Sequence, residues 1–203
     1  MSRLPFTLSL LDRFQLTGPG GPIHLPNKKL SALLAYMACT APVPQSREKL
    51  ATLLWGSHFN TQAQQNLRQA LFRLRQVLGP NVFISNDDAI WLAPGAIDCD
   101  VAQFRALIRE GSLAALGNAV DLYRNDFLAD VTLREEAWTD WLTDERRRLE
   151  VLGLNALVKL GQLELALAHT NQALDRATRA VAIDGFREDA HRLVIQALSA
   201  AGR

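Results

Sequence analysis

Between residues 61 and 79 the sequence TQAQQNLRQALFRLRQVLG sets seven side chains of related chemistry close together: Gln65, Arg68, Gln69, Phe72, Arg73, Arg75 and Gln76. A guanidinium group donates in a planar fork, to guanine O6 and N7 or to phosphate oxygens. A glutamine amide both donates and accepts, which matches adenine N6 and N7, and a phenyl ring can pack on a thymine methyl. No carboxylate interrupts the stretch. This is the set of groups that a duplex major groove asks for, but a solvated basic helix would carry it too, so spacing has to decide. At about 100° per residue, Ala63, Leu67, Ala70, Leu71, Leu74 and Leu78 fall on one side of a helix, with Val77 at its edge. Gln62, Gln65, Gln69, Phe72 and Gln76 lie opposite, flanked by Arg68 and Arg75 on one side and by Asn66 and Arg73 on the other. Phe72 sharpens the reading, since a large aromatic on the outward face is expected to meet another element, a partner or nucleic acid.

The elements that must position this helix can be read around it. Residues 4–16 mix alternation with strand-favouring types, and Gly18, Pro19, Gly20, Gly21 and Pro22 force a turn before Ile23, His24 and Leu25, which predicts a hairpin of small strands. Pro26 and Asn27 offer a helix start, and Leu30, Leu33, Leu34, Met37 and Ala38 give a stripe as far as Thr40, ended by Pro42 and Pro44. Ser46 is placed to cap a second helix, with Glu48 in its first turn and Leu50, Leu53, Leu54 and Trp55 on its apolar side. The third helix begins at Asn60 or Thr61 and stops at Gly79 and Pro80. Two short strands, VFIS and AIWLA, then flank a turn at Asn86, Asp87 and Asp88. Strands, three helices and a closing hairpin predict a winged helix-turn-helix, in which the third helix enters the major groove and the hairpin is the wing. Lys28 and Lys29 at the start of the first helix, and Ser46 and Arg47 at the start of the second, are candidate phosphate contacts.

Composition bounds the alternatives. The chain has 203 residues, 48% hydrophobic and 21% charged, which fits one or two soluble globular domains. No apolar run reaches the roughly 18–20 residues of a membrane span, and Asp12 and Arg13 come too early for a signal peptide, so a cytoplasmic protein without a membrane partner is expected. Cys39 and Cys99 are the two cysteines, with no CxxC and no histidine cluster, so neither a metal site nor a disulfide framework is expected. His24, His58, His169 and His191 are scattered, and no phosphate-binding loop or nucleophile elbow occurs, so no catalytic residue and no cofactor are expected. The net charge of +1 conceals a division. Residues 1–96 carry nine basic and four acidic side chains, a balance of +5, which leaves −4 for the rest. That split suggests a nucleic-acid-facing half and a protein-facing half.

From Asp98 onward the sequence reads as nearly continuous helix. Val101, Phe104, Leu107 and Ile108 make one short stripe, and Leu113, Leu116, Val120 and Tyr123 another. A loop, RNDFLADVTLRE, leads into a long helical segment from Glu135 to about Asn171, whose first turn sets Glu135 and Glu136 beside Trp138 and Trp141, the pattern of a cap over a core. The last stretch predicts a helix, a tight break at Asp184 and Gly185, and a second helix. Helix pairs with alanine at the close contacts suggest tetratricopeptide-like packing. The chain stops at AAGR, where such a pair would turn into a partner helix, so a fragment of a longer protein is expected.

Both halves together resemble the Streptomyces antibiotic regulatory protein type of transcriptional activator, an OmpR-like winged helix followed by a bacterial transcriptional activator domain. LPNKKLSALLAYMA resembles that family's first helix, QSREKLATLLW its second, and NLRQALFRLRQVLGP its recognition helix. IDCDVAQF, LYRNDFLAD, AWTDWLTDERRRLEVL and AVAIDGFREDAHRLVIQALSAAGR resemble successive landmarks of the activator domain, over residues 6–203 in all. The implied fold class is an α+β winged helix-turn-helix domain over residues 1–96, followed by an all-α tetratricopeptide-like domain over residues 97–203. The resemblance implies base contacts from Arg68, Gln69 and Arg73, supported by Gln65, Phe72, Arg75 and Gln76. It implies binding to double-stranded promoter DNA, as dimers on direct repeats, with the helical domain contacting RNA polymerase or another protein. Asp87 and Asp88 depart from the family's wing, where basic or small residues favour phosphate. A second class stays open: a tetratricopeptide-type interaction adaptor whose winged helix does not bind DNA.

Overall fold

A computed structural model describes residues 6–123 and 126–202. Leu4 and Pro5 of the expected first strand, and Arg124 and Asn125 of the expected loop, lie outside them. In chain order the elements are β1 (Phe6–Ser9), β2 (Gln15–Gly18), β3 (Gly21–Ile23), α1 (Lys28–Thr40), β4 (Gln45–Ser46), α2 (Arg47–Trp55), α3 (Asn60–Leu78), β5 (Phe83–Ser85), β6 (Ala89–Leu92), β7 (Ile97–Cys99), α4 (Asp100–Glu110), α5 (Leu113–Leu122), α6 (Glu136–Ala166), α7 (Thr170–Ile183) and α8 (Glu188–Ala200). A 3-10 turn, Pro80–Val82, joins α3 to β5. The architecture is a winged helix-turn-helix with short strands, followed by a helical domain. No helix among the described residues is long and apolar enough to cross a membrane.

The chain divides into two compact units, each built from two segments of sequence. One unit takes Met1–Ala102 together with Asn125–Arg146, and the other takes Gln103–Arg124 with Arg147–Arg203. In the first unit, β1, β2 and β3 form an antiparallel meander with Leu8 opposite Leu16 and Leu16 opposite Ile23. Where a hairpin of small strands was expected, residues 6–18 themselves form two strands, separated after Ser9. There Asp100 of α4 accepts hydrogen bonds from the backbone N–H groups of Leu10 at 2.8 Å and Leu11 at 3.0 Å, turning the chain out of the sheet. The strand β7 adds in parallel on the other side of β1, with Leu8 opposite Cys99, an arrangement local patterning does not announce.

The helices begin where their caps put them. The Asn27 side chain accepts from the Leu30 N–H at 3.0 Å, and Ser46 Oγ accepts from the Lys49 N–H at 3.1 Å, each satisfying an orphan donor of a first turn. Gly79 ends α3 with φ +96, a backbone region glycine adopts without steric cost. The wing is a three-stranded sheet in the order β4-β6-β5, in which the two-residue β4 hydrogen-bonds β6 and so ties the start of α2 to the hairpin.

Residues 126–146 complete this unit. Leu128 donates its N–H to Leu10 O at 2.9 Å and Ala129 to Asp12 O at 2.7 Å, while Arg146 Nε and Nη2 donate to Phe127 O at 2.8 Å and Leu128 O at 2.9 Å. Leu128 holds φ +50, an unusual conformation for a leucine, kept by full burial and these bonds. An aromatic cluster follows: Trp141 meets Tyr36 of α1 edge-on at 5.0 Å, Phe127 at 6.0 Å and the fully buried Trp138 at 4.9 Å. Aromatic pairs of this geometry add about 0.5–1.5 kcal/mol each beyond the area they bury.

The second unit is helical throughout. Its core joins Leu116 and Val120 of α5, Leu154, Leu157, Val158 and Leu160 of α6, Ala177 and Ala180 of α7, and Ala190 and Leu193 of α8. Alanines let the α7 and α8 backbones approach. Gly161 of α6 belongs to the same contact, since a Cβ there would stand 2.7 Å from Leu193 Cδ2 and 3.3 Å from Ala173 O. The long helix expected from Glu135 to about Asn171 is broken. It ends at Ala166, Ala168 takes φ +59, and α7 starts at Thr170. Neither glycine nor proline marks that break; the bond from His169 N–H to Glu164 O at 2.8 Å closes it.

Candidate nucleic-acid interface

The leucines of α3 decide which way its polar face turns. Ala63, Leu67, Ala70, Leu71, Leu74 and Leu78 are all buried, in large part against α2, and each fully buried leucine contributes about 1.5–3 kcal/mol relative to exposure. That leaves Gln65, Arg68, Gln69, Phe72, Arg73 and Gln76 exposed along the opposite side. Phe72 is 62% exposed and Val77, at the edge, 38%. The sequence of α3, Asn60–Leu78, holds no acidic residue, so no carboxylate competes for the arginines from within the helix.

Grooves lie on both flanks of α3 within this unit. One, of about 420 Å³, is lined by Lys28, Lys29, His58, Asn66, Gln69 and Arg73 among others. The other, of about 460 Å³, runs between Ser46, Arg47, Gln64, Arg68 and the wing residues Asp87 and Asp88. The wing turn is built locally: Asn86 Oδ1 accepts from the N–H groups of Asp88 at 3.2 Å and Ala89 at 2.7 Å, while Arg47 N–H donates to Asp88 O at 2.9 Å. Asp87 and Asp88 are exposed there.

The candidate residues do not all stand in the same state. Arg68 and Arg73 are exposed and make no ion pair with another described residue. Arg75 is half-buried with its guanidinium 6.0 Å over the Phe83 ring of the wing, a cation–π contact that holds it against β5. Lys28 is exposed, but Lys29 is engaged: its Nζ lies 2.8 Å from Glu135 Oε1 and 5.4 Å from the Trp55 ring. Ser46 serves as the cap of α2, and Arg47 Nη2 reaches Asn86 O at 3.5 Å.

Glu135 is the residue sequence reading did not connect to this site. It is buried, 6% exposed, and accepts from Lys29 Nζ, from Ser57 N–H at 3.1 Å and from Ser57 Oγ at 3.1 Å. Burial pushes its pKa up, but the Lys29 hydrogen bond and charge together with the Ser57 donors outweigh it and hold the carboxyl below its usual range. The result fixes the start of α1 and the turn after α2 relative to each other, which are the elements flanking α3. With 106 positions between the partners, no local signal pointed to the pair.

Three helices and a wing thus present a carboxylate-free helix face, and a helical array follows them in the chain: a winged helix-turn-helix joined to an all-helical domain. Residues 99–203, more than half of the chain, match the model of the bacterial transcriptional activator domain, and the chain belongs to that family. Among solved structures it is similar to Mycobacterium tuberculosis EmbR, determined in complex with a low-affinity phosphopeptide, with a TM-score of 0.84 at 20% identity. That similarity covers 98% of this chain and 55% of the EmbR chain, so the present sequence spans little more than half the length of that relative. At this identity the likeness concerns the fold. No curated protein matches the chain.

Proposed function

We propose that this chain is a cytoplasmic, sequence-specific DNA-binding transcription regulator, an activator by its family, that lays α3 in the major groove of promoter DNA. In this reading residues 1–96 are the DNA-binding module and residues 97–203 the activator module. Arg68, Gln69 and Arg73 read base edges, and Gln65, Phe72 and Gln76 support them along the groove. Lys28, Ser46 and Arg47 contact phosphate from the helix starts. Arg75 acts from the groove wall while packed on Phe83. The helical module contacts RNA polymerase, a neighbouring copy on direct repeats, or another protein.

The observation that carries this is the exposed α3 face, with two unpaired guanidinium groups and no carboxylate on the helix. The acidic wing turn supports a corollary: phosphate affinity comes chiefly from α3 and the helix starts rather than from the hairpin. A salt titration of duplex binding tests the reading. Log affinity should fall linearly with log salt, by about −0.9 per phosphate contacted. Salt-insensitive binding, or none to any promoter fragment, would favour the interaction adaptor instead.

A further inference from the structure

We infer that the α3 face reads an A·T core in its operator, with the Phe72 ring seated on the C5 methyl of one thymine and the amides of Gln69 and Gln76 on adenines beside it. The inference rests on the DNA-binding reading above and specifies the base chemistry of that same face.

Phe72 is the most exposed large apolar group within α3, 62% accessible, on a helix whose leucines are all buried. Its surroundings indicate what it meets. Val77, the other exposed apolar side chain of the helix, lies at the edge of the buried face, about 140° around the axis from Phe72. Phe59, at the N-terminus, is about 20 Å away along it. Along α3 the ring is therefore a single apolar point among amides and guanidinium groups, with no second exposed apolar side chain beside it on the helix. The flanking charge is positive on both sides, Arg68 and Arg73, and suits a polyanion.

Within a major groove the thymine methyl is the one apolar group that base pairs present. Against the edge of a G·C pair, a phenyl ring would strip water from donors and acceptors and return no hydrogen bond. Phe72 thus selects thymine and also rejects G·C at the position it covers. Gln69 lies about 4.5 Å from it along the helix axis and Gln76 about 6 Å in the other direction, which is one to two base steps. Both amides are exposed on the same stripe, and the amide pairing that major-groove geometry favours is adenine N6 and N7.

The test begins with the full chain selecting duplexes from a randomised pool. The enriched sequence is then remade with each thymine replaced singly by deoxyuridine, which pairs identically but lacks the methyl. Anisotropy titrations compare the wild type with Phe72→Ala and Phe72→Leu, with near-ultraviolet circular dichroism confirming that both variants are folded. One deoxyuridine position should weaken wild-type binding by about 3- to 10-fold. Phe72→Ala should be insensitive at that position, and Phe72→Leu should keep part of the effect. An enriched core of G·C pairs, no methyl-sensitive position, or equal sensitivity in Phe72→Ala would overturn the inference and leave DNA binding standing. Failure to enrich any duplex would overturn both.

Discussion

The helices α3 and α7 are both amphipathic and both rich in arginine, yet they use those features in opposite ways. In α3 the buried face is mostly leucine, and Arg68 and Arg73 stand in solvent. In α7 the buried residues are Ala173, Ala177 and Ala180, all fully buried, and the arginines turn inward. Arg176 faces the buried Glu164 at 3.5 Å, while Arg179 donates to the carbonyls of Val120 at 3.0 Å and of Tyr123. Large side chains anchor one helix by its back and leave its front in solvent. Small ones draw the other into an array, where Arg179 satisfies carbonyls at the end of α5 and Arg176 supplies a charge to Glu164 of α6. Basic residues alone do not separate the two helices; the size of the buried residues does, together with Asp175, an exposed carboxylate on α7 that has no counterpart on α3.

The largest expected effects exchange the packing logic. Leu74→Ala opens a cavity under α3 and should cost about 2–5 kcal/mol of stability in the unit that contains it. Ala177→Leu overfills the α7 contact and should cost about 1–3 kcal/mol in the other. With two compact units a single melting temperature would blur these losses, so hydrogen exchange resolved by segment is the appropriate measurement. Equal loss of protection in both units from either variant would show that they unfold as one.

Two buried glutamates sharpen the same contrast. Glu135 has three donors and a carboxyl held below its usual range. For Glu164, burial pushes the carboxyl up, and the charge of Arg176 only partly offsets that. The Glu135 contribution is therefore present above its unfolded pKa, about 4.3, and lost as pH falls through the lower folded value. The Glu164 contribution runs the other way, fully present below about 4.3 and lost as pH rises through the higher folded value. At neutral pH, Glu135→Gln should destabilise its unit by about 1.5–3 kcal/mol, the worth of hydrogen bonds to a charged group. Glu164→Gln should cost less and should flatten the gain its unit shows on acidification. Denaturant titrations at pH 7 and pH 4, read by segment-resolved exchange, check both. Smaller still, Ser46→Ala removes one cap of α2 and should cost about 1 kcal/mol by the same measurement.

Much of the winged helix was legible because its signals are local. Asn27 and Ser46 lie next to the donors they cap, Gly79 sits where α3 must end, and the 3.6-residue period of the leucines fixed which side of α3 is exposed. The strand β7 was not legible, since Ile97–Cys99 pairs with a strand about 90 positions earlier. Nor was the return of residues 126–146, whose contacts with Leu10, Asp12 and Tyr36 depend on tertiary packing. The break at Ala168 lacks glycine and proline, and closes through a backbone bond that any residue could make. Within the candidate site, the positions of Arg68, Gln69, Phe72 and Arg73 followed from periodicity. The engagement of Lys29 with Glu135 and of Arg75 with Phe83 could not, because periodicity gives a direction and not a partner. The family match begins at Cys99, close to the sequence division, whereas compactness follows the chain as it folds back.

The central claim is that the exposed arginines of α3 meet DNA while those of the helical unit do not. Equilibrium binding of one selected duplex, at a single salt concentration, compares Arg73→Ala with Arg192→Ala, an exposed arginine of α8. The account predicts a loss of about 1–3 kcal/mol for Arg73→Ala and unchanged affinity for Arg192→Ala. Equal losses from the two variants, or none from Arg73→Ala, would contradict it.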